Sequence, residues 1–220
     1  MFKNFDYALQ TLGQGFIYTV WITAASFALA LVVGAVLAIM HVSPAQPARA
    51  AATVYTQIFR NVPLLAVLLL AFFGMTEIGI GKDFPAEVWA VIGLGMYTGA
   101  FVGETLRAGI NSISLGQAEA ARSIGLTFGQ SLRYVILPQS FRTVIPPLGS
   151  LATALVKNSA LASAIGVTEL ATQSEFLIGQ ENGKVSVTTT IIGVLLCYLV
   201  INLPAGYFIR LAEKRAAITR

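Results

Sequence analysis

Charge is what this chain lacks most. Asp, Glu, Lys and Arg make up 11% of its 220 residues, against roughly 25% in soluble domains. A deficit of that size means that most of the surface does not face water. There is one cysteine, Cys197, so no disulfide can form within the chain. There is one histidine, His41, with no Cys, Asp or Glu cluster around it in sequence. It reads as an interfacial residue, since a metal site needs three or four such ligands. No metal site is expected. There is no G-x-x-x-x-G-K-(S/T) loop for nucleotide phosphates. There is also no G-x-S-x-G and no pair of intramembrane acids, which argues against an intramembrane enzyme. The chain is expected to be non-catalytic.

What is present is apolar sequence. Hydrophobic residues make up 56% and mean hydropathy is +0.76. Residues 13–40 and 185–209 contain no charge. A spanning helix needs about 20 apolar residues, so each run is long enough to cross with some tilt. A β-barrel would instead alternate over segments of about ten residues. The first run is too long for the core of a signal peptide, roughly 7–15 residues, and reads as a retained span.

Five spans are expected, over about 14–41, 56–76, 87–106, 143–168 and 186–209, in a single all-α transmembrane domain covering 1–220. Between the third and fourth lies a polar loop, about 108–142. Lys/Arg asymmetry sets orientation. With the amino terminus outside, the cytoplasmic ends hold Arg49, Arg60, Arg107, Arg122, Arg133, Arg142, Arg210, Lys214, Arg215 and Arg220. The outside then holds only Lys3, Lys82 and Lys184. The acids Asp6, Glu77, Asp83, Glu87, Glu169, Glu175 and Glu181 fall outside. The carboxy-terminal Arg210, Glu213, Lys214 and Arg215 read as an anchor on anionic headgroups.

The loop carries QAEAARSIGLTFGQSLRYVILPQ, residues 117–139. Glu119, Ala120, Ala121 and Arg122 are good helix formers. Gly125 suits the position after a helix end, where positive φ costs glycine little. Thr127 is placed to cap a second helix over 128–136, and Pro138 is expected to stop it by pushing Leu137 out of the helical region. Small side chains at Ala120 and Ala121 would let a partner's backbone approach. The chain could carry here an amphipathic loop on the membrane surface or a docking knob for a cytoplasmic partner.

Charged groups inside spans are costly and mark functional sites by default. Arg60, beside Asn61 and Pro63, reads as a pathway or hinge residue, with snorkelling to headgroups the alternative. Glu104 and Arg107, three apart on one helix, can pair. Lys157-Asn158-Ser159 falls within the fourth span. Discontinuous helices present polar groups at such places in transporters. The Lys157 ammonium could attract an anionic group, and Asn158 can both donate and accept. A neutral Asn disfavours a site for a cationic group. Gly93, Gly95, Gly99, Thr98, Ser159 and Ser163 are small enough to bring helices close. The alternative function is a self-sufficient secondary transporter or channel, but no internal repeat is visible between the halves.

Four blocks carry a resemblance. Glu119-Ala120-Ala121, Gly125 and Ile136-Leu137-Pro138 are similar to the EAA signature of ABC importer permeases. Phe59-Arg60-Asn61-Val62-Pro63 resembles the F-R-G/N-T-P block of the polar amino acid permeases. Tyr97 to Ile110, with Glu104 and Arg107, resembles their Y-x-x-A-(F/Y)-x-x-E-x-x-R-x-G-I block. Lys157 to Leu161 resembles their K-(N/D)-(S/T)-(S/A)-L block. The resemblance implies a bacterial inner-membrane permease subunit for a polar amino acid, working by alternating access; with a neutral Asn158, glutamate, glutamine or aspartate is expected over arginine or lysine. It implies a second permease chain, identical or paralogous, an extracytoplasmic amino-acid-binding protein, and a pair of cytoplasmic ATPase subunits. ATP and Mg would sit on those partners, and this chain would bind no cofactor. Glu119, Ala120, Ala121, Arg122 and Gly125 would then form the coupling helix that seats on the ATPase.

Overall fold

A computed structural model describes residues 2–179 and 185–216. Glu181, Lys184 and Arg220, used above in the charge asymmetry, lie outside the described residues, as do the side chains of Lys3, Glu213, Lys214 and Arg215. The described residues form helices and no strands. Helix α1 spans Phe2–Val42 and α2 spans Gln46–Asn61. Helix α3 spans Leu64–Glu77 with a π-helical turn at Leu70–Gly74. The next three are α4, Ala86–Asn111, α5, Leu115–Ser123, and α6, Phe128–Ile165. Helices α7, Leu170–Gly179, and α8, Val187–Ala216, complete the order. Four helices, α1, α4, α6 and α8, are long and apolar enough to cross a membrane, and the bent pair α2 and α3 makes a fifth crossing if it counts as one span.

That pair corrects the expectation of one span over 56–76. Val62 (φ −96°, ψ 136°) and Pro63 (φ −58°, ψ 135°) are both out of helical geometry, and α2 and α3 meet at 108°. The cause is local. The Pro63 ring disfavours the helical region for Val62, so the helix ends at Asn61, whose Nδ2 donates back to Gln57 O at 2.7 Å.

A second correction concerns Leu137-Pro138. The chain does not stop there. Leu137 is helical (φ −58°, ψ −45°), and helical structure runs on from Phe128 to Ile165. A π-helical turn over Leu132–Ile136 precedes the proline. Widening the turn removes the clash between a proline ring and the carbonyl four residues earlier. Pro146 and Pro147 also lie within continuous helix. Beyond the π turn the helix changes character only at its far end, where Asn158 gives way to 3₁₀ geometry over Ser159–Ile165.

The main seam joins α1 and α4. It is built on glycine. A Cβ on Gly95, Gly99 or Gly103 would lie within 3 Å of Leu29, Val33 or Leu37 respectively, and one on Gly34 would strike Val102. Backbones at this distance have no room for a methyl, which is how small residues bring membrane helices together. Gly93 faces α3 instead, against Leu68. The core along this seam gathers Ile22, Leu68, Trp89, Leu94, Leu155 and Ile165. A smaller cluster of Ala8, Leu12, Leu170 and Leu177 docks α7 on α1, and Leu170 N–H donates to the buried Thr19 Oγ1 at 3.2 Å.

Candidate functional site

Three places carry the residues singled out from sequence. In the first, α1, α2 and α4 converge on Glu104. Arg107, one turn along α4, donates Nε to Oε1 at 3.2 Å and Nη2 to Oε2 at 3.1 Å. Arg60, from α2, reaches Oε2 through Nη1 at 3.5 Å, and its guanidinium lies 5.9 Å from the Phe101 ring centre. The i, i+3 pair expected within α4 is thus joined by a third residue from another helix. Sequence reasoning missed a fourth. His41 Nε2 lies 3.9 Å from Glu104 Oε1 and 3.5 Å from Thr56 Oγ1. No local spacing could reveal that contact, because it links residues 63 apart in the chain. Two arginines on one carboxylate leave a net positive charge. Glu104 and Arg107 line a polar cavity of about 260 Å³ together with His41, Thr53, Thr56 and Gln57.

In the second place, the end of the regular α-helical part of α6, the three residues separate. Lys157 is exposed and makes no hydrogen bond or ion pair with a described residue. Asn158 is half-buried. Ser159 is fully buried and donates Oγ to Val156 O at 2.8 Å, so its hydroxyl is consumed by the helix turn. Asn61, like Ser159, spends its donor on its own helix.

The third place is α5 and its exit. Glu119, Ala120, Arg122 and Gly125 are exposed, but Ala121 is buried at 4%. Ala121 therefore packs inward and does not offer its methyl to a partner, which corrects the expectation for that residue. The end of α5 is closed twice: Gly125 N–H donates to Arg122 O at 3.0 Å and Leu126 N–H to Ala121 O at 3.1 Å. Gly125 stands at φ +85°. This is a Schellman termination, in which glycine supplies the left-handed residue. Two residues on, Thr127 and Gln130 form a reciprocal capping box. Both sides of the bend are thus held by hydrogen bonds. Leu115 and Ile124 are exposed at 81% and 77%, a pair of large apolar side chains left uncovered on a short polar helix.

One buried acid lies outside all three places. Glu169 follows the span that ends at Ile165 and is fully buried. Its Oε1 accepts from Thr172 N–H at 2.9 Å, and its Oε2 accepts from Tyr198 OH at 3.3 Å. Burial pushes its carboxyl above the usual carboxylate range, against hydrogen bonds that pull it down. It caps α7 and ties that helix to α8.

Among the described residues no group of three His, Cys, Asp or Glu could hold a metal ion. Several helices long and apolar enough to cross a membrane, with a capped exposed helix between two of them, describe a multi-pass membrane protein. The sequence profile of the binding-protein-dependent transport system inner membrane components matches residues 30–218, and the chain belongs to that family. It is a multi-pass inner-membrane component.

The chain is 35% identical over 216 residues to the probable glutamine ABC transporter permease protein GlnM of Bacillus subtilis, covering 98% of this chain and 95% of that one. It is 39% identical over 217 residues to the glutamate transport system permease protein GluC of Corynebacterium efficiens, covering 94% of each. The fold matches a crystal structure of an amino acid ABC transporter with histidines, at TM-score 0.89 and 30% identity over 98% of both chains. A structure of the MetNI methionine ABC transporter matches at TM-score 0.70 and 21% identity, a likeness of fold.

Proposed function

We propose that this chain is the transmembrane subunit of an ATP-driven importer that brings a polar amino acid into the cytoplasm, with glutamate, glutamine or aspartate favoured. The glutamine and glutamate permeases that it resembles over nearly its whole length support the class. The single observation that carries the coupling role is the doubly capped bend after α5, with Leu115, Glu119, Arg122 and Ile124 exposed on it. A rigid exposed helix can transmit a push, whereas a floppy connector would dissipate it. Seated on a cytoplasmic ATPase, α5 would move with ATP-driven closure of the ATPase pair, where ATP and Mg are bound. The spans would then open outward to receive substrate from an extracytoplasmic binding protein, and hydrolysis would reverse the motion. A second permease chain completes the pathway.

The sidedness rests on the arginines that cluster with α5. The amino terminus then lies outside and the carboxy terminus in the cytoplasm. On the pathway, the exposed and unpaired Lys157 attracts a substrate carboxylate, and Asn158 hydrogen-bonds the side-chain end. Ser159 acts in packing. Arg60 and Glu104 form the closing contact on the cytoplasmic side, with Asn61 fixing the end of α2 beside them. The family's own mode of action makes a self-sufficient transporter the weaker reading.

The test is a gentle-detergent pull-down of the tagged chain beside Glu119→Lys, an exposed position. An ATPase should come down with the wild type and be lost with the variant. Equal recovery by both, with uptake intact in the variant, would remove α5 from the docking contact.

A further inference from the structure

The cavity on Glu104 is polar on every side. All the residues lining its volume of about 260 Å³ are polar or charged, and about 10–15 Å³ suffices for one water. It therefore has room for a small polar molecule. Helix α2 supplies Thr53, Thr56 and Gln57, which their spacing sets on one face. Helix α4 supplies Glu104 and Arg107, and the end of α1 supplies His41. Thr53 and Gln57 are exposed, so the cavity opens along α2.

Several polar atoms in these walls are still free to bond. Arg107 holds Glu104 side-on through Nε and Nη2, and its Nη1 has no partner among the described residues. Gln57 accepts from Asn61 Nδ2 on Oε1 at 3.2 Å, which leaves its amide N–H groups free. The looser arginine contact on Glu104 is that of Arg60, 3.5 Å from Oε2 and half exposed, so an incoming cation can take its place. A simple anion in the cavity would gain Arg107 but meet the Glu104 carboxylate. A simple cation would gain Glu104 but meet Arg107. A group carrying both charges side by side, opposed in direction to the Glu104–Arg107 pair, is attracted at both ends.

We infer that this cavity binds the zwitterionic head of an α-amino acid, with the ammonium on Glu104, the carboxylate on Arg107, and Thr53 and Gln57 facing the side chain. Charge-assisted hydrogen bonds of this kind are the strong ones. The choice of an amino acid as the zwitterion rests on the permease reading. The site is distinct from Lys157 and Asn158. Helices α4 and α6 run antiparallel, with Gly109 against Val144 and Leu94 in one core cluster with Leu155. Measured from the Gly109 contact, Lys157 lies thirteen residues along α6 and Glu104 five along α4, so the two differ in depth by roughly 12 Å at 1.5 Å per residue. On the proposed sidedness the cavity is a release-side station, reached after the polar end of α6. An ammonium on Oε2 displaces Arg60, so occupancy also loosens α2 from α4.

The test is local protection of a thiol. In a Cys197→Ala background, the full-length chain in detergent carries Thr53→Cys or Gln57→Cys, both at exposed positions, and modification by a small methanethiosulfonate is timed. L-Glutamine should slow modification at both. Glutaramate, which is glutamine without the ammonium, and γ-aminobutyramide, which is glutamine without the carboxylate, should not. Glu104→Gln should raise the concentration for half protection about tenfold or more, the share of one hydrogen bond to a charged group. If that variant does not fold, the two truncated analogues still decide. Gln46→Cys, exposed at the start of α2 and outside the cavity, should be modified at the same rate with and without glutamine. Lys157→Met should leave protection at Thr53→Cys intact, and its loss there would assign the effect to the other site and overturn the inference. Absence of protection, equal protection by the truncated analogues, or protection by chloride at equal ionic strength would overturn it too. Glutamine uptake by the transporter assembled with its ATPase separates the two readings. Uptake without protection overturns the cavity alone, and no uptake of any polar amino acid overturns the permease reading beneath it.

Discussion

Two glycines on α4's seams make contrasting demands, and the contrast can be measured. A Cβ on Gly109 would sit 2.1 Å from Val144 Cγ1, then 3.3 Å from Thr143 Oγ1 and 3.5 Å from Ser140 O. Carbon atoms in good contact are about 3.5–4.0 Å apart, so the obstruction is one methyl group. A Cβ on Gly34 would sit 2.3 Å from Val102 Cγ1, 2.6 Å from Val102 Cβ and 2.9 Å from Gly103 N. Here removing the methyl still leaves the facing backbone too close. Overpacking a well-packed core costs about 1–3 kcal/mol, and replacing glycine inside a helix returns about 0.5–1 kcal/mol. Each alanine variant should therefore lose about 1–2 kcal/mol. For a chain of this size that is a fall of several degrees in Tm, at roughly 2–4 °C per kcal/mol. The assay is thermal denaturation in detergent, followed by size-exclusion fluorescence of a fusion, run as two double-mutant cycles. Val144→Ala should rescue Gly109→Ala, so that the double variant is as stable as Val144→Ala alone. Val102→Ala should rescue Gly34→Ala only in part. Full rescue at Gly34, or none at Gly109, would refute the reading that backbone approach sets the Gly34 seam and one side chain the Gly109 seam.

The remaining predictions concern the bend, the buried acid and the substrate side. Gly125→Ala should lower uptake with insertion unchanged, because an alanine at φ +85° costs about 1–2 kcal/mol although nothing crowds it. Gly116→Ala, equally uncrowded but without the positive φ, should leave uptake intact, and equal loss by both would sink the argument. Glu169 is raised above its ordinary 4.5 by burial, so its neutral form is favoured in the folded chain. Its contribution to stability is fully present below the unfolded value and is lost as pH rises through the folded one. As pH rises above its ordinary 4.5 the wild-type Tm should therefore fall relative to Glu169→Gln, and parallel curves would refute the upward shift. Asn158→Asp should shift preference towards cationic amino acids in a competition panel, and unchanged selectivity would remove Asn158 from the side-chain pocket.

How legible all this is from sequence depends on the range of the interaction involved. The helical, membrane-embedded class follows from apolar runs, which are local. So does the end of α5: Gly125 and Thr127 declare a termination and a cap by residue type, and the hydrogen bonds are where that chemistry requires. The Glu104–Arg107 pair is legible from spacing alone. What joins them is not. Arg60 and His41 reach the same carboxylate only because α1, α2 and α4 pack together, and no periodicity in either segment encodes that. Ala121 shows the same limit on one helix turn. Its composition suits a partner's approach, but the π turn of α6 packs beside α5 and the methyl is buried. Pro63 and Pro138 look alike as helix breakers in sequence, yet one bends the chain by 108° and the other sits in continuous helix. The difference is whether the preceding turn can widen, and a π turn supplies that at 132–136.

That continuity at Pro138 bears on mechanism. A stop there would place a joint between α5 and the long helix that follows, and movement of α5 would be taken up at the joint. The observed helix runs unbroken from Phe128, three residues past Gly125, to Asn158. At 1.5 Å per residue that is a lever of roughly 45 Å. Its near end is clamped to α5 by the capping box and the Schellman bonds. Its far end is the point where Lys157 and Asn158 meet the change to 3₁₀ geometry. Under the proposed reading, ATP-driven motion at α5 and the polar groups offered to substrate are therefore two ends of one body, with the π turn as its softest point. A single residue deleted from the regular α-helix beyond the π turn should rotate everything farther along by about 100°, one residue's share of a 3.6-residue turn. Such a chain should still insert and still dock, yet fail to transport. Retained uptake by a deletion of Ser150, in the regular helix between the π turn and Asn158, would show that α6 does not act as a rigid lever.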